Sequence, residues 1–210
     1  MKMTKIALAA VLAMGAASAN AGPFYVDAHL GQTSADLPTY TNITLDNEDS
    51  TYSLNLGYRI NDMFSFEGGY TKLGKTTYTT PAISTSTSAF GSTLTLTNAV
   101  IQESLDVDGY TLGLAMDFPA SAQIDITGRV GYISWEVAHK VALTSGTFTY
   151  GGTNYTGSVD LPNIDGTDLY WGLGASYKFS KEMRAGVNFT RYDIGGVDVD
   201  TWTANLRYNF

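Results

Sequence analysis

The chain has 210 residues, 12 basic and 20 acidic side chains, a formal net charge of −8 and no cysteine. That length suits one domain; the acidic balance without a basic run argues against nucleic acid as a partner, and the missing thiols exclude disulfides and thiolate metal sites. Gly at 22 and Tyr at 14 against only 5 Pro favour an all-β protein.

Lys2 and Lys5 precede an apolar run, Ile6 to Met14, followed by small residues ending Ala19-Asn20-Ala21. This is the three-part pattern of a secretory signal peptide, with cleavage expected between Ala21 and Gly22. The run is far shorter than the roughly 20 residues of a membrane-spanning helix. The expected organisation is a leader over 1–21 and one exported domain over 22–210. Two basic residues leave with the leader, so the mature net charge is −10.

Strict alternation then marks eight strands. The first, about Phe24 to Gly31, sets Phe24, Val26, Ala28 and Leu30 against Tyr25, Asp27 and His29. The second, Thr51 to Ile60, presents Tyr52, Leu54, Leu56 and Tyr58 opposite Ser53, Asn55, Gly57 and Arg59. Asn61-Asp62 turns into a third, Met63 to Thr71, with Phe64, Phe66 and Tyr70 against Ser65 and Glu67. The fourth, Asp108 to Phe118, opposes Tyr110, Leu112, Leu114, Met116 and Phe118 to Thr111, Gly113, Ala115 and Asp117. A turn at Pro119 to Gln123 leads to a fifth, with Ile124, Ile126, Val130 and Tyr132 against Asp125, Thr127 and Arg129. Beyond Ile133 its phase breaks, because Trp135 and Val137 fall with the polar set, and a bulge is expected there. The sixth alternates Leu169, Trp171, Leu173 and Tyr177 with Asp168, Tyr170, Gly172 and Lys178. Ser180 to Glu182 turns into the seventh, where Met183, Val187 and Phe189 oppose Arg184 and Asn188. The eighth runs Trp202 to Phe210, with Leu206 and Tyr208 against Asn205, Arg207 and Asn209.

Short turns alternate with long connections at about 32–50, 74–106 and 138–166 and a shorter one at 193–199. Long loops at one end, with aromatic rings at both ends of each apolar face and aliphatic residues between, are features of a transmembrane β-barrel. Its apolar side faces lipid and its polar side the lumen. The expected fold is therefore all-β: an eight-stranded antiparallel up-and-down transmembrane barrel.

Leu56-Gly57-Tyr58-Arg59-Ile60-Asn61-Asp62, Arg191-Tyr192-Asp193 and the final Leu206-Arg207-Tyr208-Asn209-Phe210 resemble the small outer-membrane β-barrel family that includes the OmpA transmembrane domain and the opacity-type surface proteins. The resemblance spans the mature chain and implies a monomer in the outer membrane of a Gram-negative bacterium. It also implies that Phe210 is the signal read by the outer-membrane assembly machinery. The peptidoglycan-binding domain of OmpA has no counterpart in the sequence, so a cell-wall tether is not carried over.

An eight-stranded lumen is just wide enough to be filled by side chains, and 189 residues cannot supply the 16 strands of a general porin. The lumen-facing charges are Asp27, His29, Arg59, Glu67, Asp117, Asp125, Arg129, Asp168, Lys178, Arg184 and Arg207. An isolated buried charge is costly, so these are expected to pair as a salt-bridged plug; the alternative is a narrow ion or solute path. Few large apolar residues are expected inside, which disfavours an apolar cargo. A lipid-modifying enzyme would need a triad around His29 or His139, and no nucleophile motif accompanies either. No catalytic residue, cofactor or metal is expected. Asp46, Glu48, Asp49, Asp198 and Asp200 lack calcium-loop spacing and read as a solvated acidic rim.

Function then falls to the loops. Positions 74–104 are rich in Ser and Thr, interspersed with Ile83, Phe90, Leu94, Leu96, Val100 and Ile101, which suggests a projecting hairpin. Gly151-Gly152 between Phe148-Thr149-Tyr150 and Thr153-Asn154-Tyr155 is a two-residue hairpin signal. The expected role is surface recognition or adhesion toward an extracellular ligand or host surface, added to a structural role among outer-membrane lipids.

Overall fold

The computed structural model describes residues 22–89 and 91–210. The expected leader over 1–21 and Phe90 lie outside them. Eleven strands form one antiparallel sheet: β1 (Phe24–Ala35), β2 (Thr44–Asp46), β3 (Glu48–Arg59), β4 (Phe64–Thr79), β5 (Ile83–Ala89), β6 (Ser92–Pro119), β7 (Ile124–Tyr150), β8 (Thr153–Asp160), β9 (Ile164–Lys178), β10 (Met183–Ile194) and β11 (Val197–Asn209). Eight of them, β1-β3-β4-β6-β7-β9-β10-β11, pair in sequence, and β11 returns to β1 with Asp27 opposite Arg207. The ring is closed, as the alternation predicts, and closure removes the sheet edges that would otherwise expose unpaired backbone.

The pleat sorts the side chains of β1, with Val26 the one outward residue that its neighbours bury. Tyr25 and Asp27 are fully buried in the lumen, while Leu30 on the other face is 70% exposed. Outward rings stack across strands just below the long-strand end: Tyr52, Tyr70 and Tyr110 follow one another at 6.3 and 5.5 Å, and Trp171, Phe189 and Trp202 at 5.6 and 5.1 Å. Such cross-strand aromatic pairs stabilise a sheet by about 0.2–1 kcal/mol each, and together they form one girdle.

The three tight turns use one device. Asn61 Oδ1 accepts from the amides of Met63 and Phe64, Ser121 Oγ from Gln123 and Ile124, and Ser180 Oγ from Glu182 and Met183. A short polar side chain thus satisfies the amides that the turn leaves unpaired.

The opposite end departs from the expectation of long loops. β6 has 28 residues and β7 has 27, whereas about 9–11 residues cross a bilayer. β4 and β5 flank β6 as one interrupted strand, and β8 and β9 flank β7 in the same way. A sheet of four long strands, with the short β2 added beside β4 at Thr77 to Thr79, therefore stands above the barrel mouth. Its summit is the predicted hairpin at Gly151-Gly152, where Tyr150 faces Thr153 and both glycines take the positive φ such a turn demands. The hairpin suggested within 74–104 is β5 and β6; both faces of this sheet meet water, so its polar–apolar alternation is too broken to show how far the strands run.

The expected bulge beyond Ile133 is absent. β7 pairs without interruption from Asp125 opposite Pro119 to Leu143 opposite Ile101. Ile133, Trp135 and Val137 simply continue the inward set of Thr127, Arg129 and Gly131. They meet Leu73, Tyr170, Tyr192, Ile194 and Val199 in one buried apolar cluster. The expectation of few large apolar residues inside is corrected: the lumen is polar at mid-barrel and apolar toward the long-strand end.

Candidate functional site

At mid-barrel, four charged side chains from four strands converge. Arg129 of β7 donates from Nε to Glu67 Oε2 at 2.9 Å, from Nη2 to Asp27 Oδ2 at 2.9 Å and from Nη1 to Asn188 Oδ1 at 2.6 Å. Arg207 of β11 donates to Asp27 Oδ2 from Nε at 3.0 Å and Nη2 at 2.7 Å, and to Glu67 Oε1 at 3.0 Å. Tyr25 Oη donates to the same Glu67 oxygen at 2.6 Å, and the Arg207 guanidinium lies 4.0 Å from the Tyr25 ring centre. Asn205 Nδ2 completes the shell of Asp27 at 2.7 Å. With two carboxylates against two guanidiniums, all hydrogen-bonded, the cost of burying each ion is offset by its neighbours.

Arg207 Nη1 reaches Asp117 Oδ2 at 3.3 Å and so joins this cluster to a second one toward the tight-turn end. There Arg184 donates to Asp117 at 2.6 Å and Asp125 at 3.0 Å, and Lys178 Nζ lies 2.7 Å from Asp125. The two clusters hold four carboxylates and four cations, a net of zero.

Three of the expected lumen charges sit apart from this balance. Arg59 hydrogen-bonds Asn209 and lies 5.7 Å from the Tyr25 ring centre. His29 Nδ1 contacts Thr203 Oγ1 at 3.3 Å, while its Nε2 is 3.4 Å from Asp27 Oδ1 but not aligned for a hydrogen bond. Asp168 lies above the aromatic girdle, where it accepts from Trp135 Nε1 at 2.8 Å and the Gly195 amide at 2.9 Å. Those two donors, the amide foremost, hold its carboxyl below the usual Asp value. At the other end, the Phe210 amide donates to Phe24 O at 3.0 Å, tying the last residue to the first strand.

Tyr25, Asn188 and Asn205 were placed on the inward face but not named as site residues, and Trp135 was noted only as out of phase. All four share the inward parity of their strands, so the signal existed, but only the charged members of that set were read as a network.

Between the charge clusters and the apolar cluster lies a cavity lined by His29, Asn55, Thr71, Arg129, Tyr170 and Thr203, among others. It has about 20 Å³ available to the centre of a water molecule, room for about one water. Ion pairs close the lumen below it and apolar side chains close it above.

Charge is distributed unevenly along the barrel axis. Residues 36–49, 72–108, 136–168 and 191–200 carry fourteen acidic side chains against four basic ones, a net of −10; the rest of the chain from residue 22 carries six of each. His139 and Glu103 lie in the projecting end, with Nε2 2.5 Å from Oε1. No group of three or more His, Asp or Glu among the described residues is arranged to hold a metal ion.

The family model for the outer membrane protein β-barrel domain matches residues 5–210. A comparison with curated proteins finds no match. Among solved structures, the attachment invasion locus protein Ail of Yersinia pestis is 15% identical, with 91% of this chain and 100% of that chain covered and a TM-score of 0.54. Neisserial surface protein A is 16% identical, with 91% and 99% covered and a TM-score of 0.53. Likeness at this level of identity concerns the fold.

Proposed function

The chain belongs to the outer-membrane β-barrel domain family, and from that premise we propose that it is a non-enzymatic recognition protein of the bacterial cell surface. The barrel anchors it among outer-membrane lipids, and the projecting sheet does the binding, as an adhesin toward an extracellular ligand or host surface. A cleaved leader over 1–21 exports it, and the assembly machinery reads Phe210. The observation that carries this reading is the length of β6 and β7, 28 and 27 residues, against a lumen filled by paired charges. A chain selected only to span the membrane has no use for strands more than twice the length needed to cross it.

The test removes the sheet and keeps the barrel. The Thr80 amide donates to Ile101 O at 3.0 Å, so residues 81–100 can be replaced by Asn-Gly across ends already in hairpin register. Residues 144–156 can be cut likewise, since Leu143 faces Gly157. Cells carrying the doubly trimmed barrel, folded and in normal amount, are expected to lose adhesion to epithelial cells. Undiminished adhesion contradicts the reading.

A further inference from the structure

We propose that the inward-turned face of the projecting sheet, with the free edge of β8, docks an extended polypeptide whose apolar and cationic side chains alternate. The inference deepens the recognition reading and rests on it. Register places Tyr78, Glu103, Val141 and Val159 side by side across four strands, with Ile101 beside Leu143 in the next row. Lower on this face Leu105 and Val107 are partly buried, packed against the apolar cluster of the lumen. Higher up the cover ends: Val159 is 63% exposed and Leu161 36%. An apolar surface continuous with the core but open to water is the mark of a docking site.

Charge selects the occupant. The projecting end carries all of the net −10 of the chain from residue 22 onward, and such a field attracts cations and repels anionic glycans or lipids. The two faces at the β8 edge differ as an alternating strand requires. Val159 and Leu161 belong to the inward face. Asp160 belongs to the outward one, where it faces Lys140 at 3.8 Å but stays 83% exposed, and where Glu136 and Asp165 stand directly opposite each other. Like charges facing each other across a sheet are destabilising on their own, and a cationic side chain laid beside them relieves that repulsion. Among the described residues β8 pairs with β7 alone, so its outer backbone groups are free to accept an added strand. A strand there places its apolar side chains beside Val159 and Leu161 and its cations beside Asp160.

The experiment uses residues 22–210 refolded in neutral phosphatidylcholine nanodiscs and two fluorescent peptides of about ten residues, each half Lys and half Val. One alternates the two residues and the other holds them in two blocks. The alternating peptide is expected to bind about tenfold tighter than the block peptide. In a Val159→Ser, Leu161→Ser variant, altered only at exposed positions, that difference disappears while salt-sensitive binding of both peptides persists. Equal binding of the two peptides to the wild type, binding of neither, or a difference that survives the variant overturns the proposal. Loss of adhesion on trimming the sheet, together with any of those results, leaves the recognition reading standing and removes this one.

Discussion

Arg207 and Asp27 face each other across the seam where the last strand meets the first, 180 residues apart in sequence and 2.7 Å apart in space. The closing pair of the ring is thus also the centre of its charge network. Barrel closure and lumen filling depend on the same two side chains.

Removing Arg207 is expected to be the most damaging of the lumen substitutions. Arg207→Met leaves Asp27 and Glu67 buried with one cation, Arg129, between them. Breaking a buried pair from one side costs about 3–5 kcal/mol. Guanidinium denaturation of the refolded barrel measures it, and a loss below about 1 kcal/mol contradicts the account. Arg207→Lys keeps the charge but not the fork of donors, and is expected to fall between the two.

Gly57 tests the packing beneath that network. Its missing side chain makes room for the Tyr25 ring: a Cβ at this position would sit within the ring's van der Waals envelope. Gly57→Ala must displace Tyr25 from Glu67 and the Arg207 guanidinium, so overpacking is expected to cost about 1–3 kcal/mol. The same denaturation assay reads it. Gly68→Ala, where only ordinary contacts await a Cβ, serves as the control and should change little.

The Trp135–Asp168 contact gives a pH signature. The Gly195 amide and the Trp135 indole hold the Asp168 carboxyl below its usual value, so their stabilising effect is complete above the unfolded Asp pKa of about 3.9. It is lost as pH falls through the lower, folded value. In a protein whose other tryptophans are replaced, Trp171→Phe and Trp202→Phe, the emission of Trp135 should hold steady down to about pH 4 and shift below it. Asp168→Asn should abolish that step. A shift centred near neutral pH would contradict the assignment.

The barrel was legible in the sequence because lipid outside and water-sized space inside impose opposite chemistry on alternate residues. Phe24, Leu30, Trp171 and Trp202 therefore announced their face. Trp135 misled for the same reason: with the lumen taken as polar throughout, an inward tryptophan looked out of phase and suggested a bulge. The projecting sheet was only half legible. Gly151-Gly152 marked its summit and the alternation of Thr93 to Thr97 suggested a hairpin, but Thr153 to Ser158 have water on both sides and too few apolar residues to reveal strand length. Among the lumen charges, parity gave membership but not partners. Arg59 meets Asn209 and Tyr25 rather than a carboxylate, and Asp168 pairs with an indole, because strand tilt and stagger decide which inward residues share a level.

The recognition proposal requires a closed lumen, which leaves function to the sheet above it. Conductance of residues 22–210 refolded into a planar lipid bilayer tests this most directly. The account predicts no steady current above that of the bare membrane, since two charge clusters and an apolar cluster fill the path and the space between them holds about one water. A steady, ion-selective current that changes when Arg129 and Glu67 are neutralised would contradict it and make the lumen the seat of function.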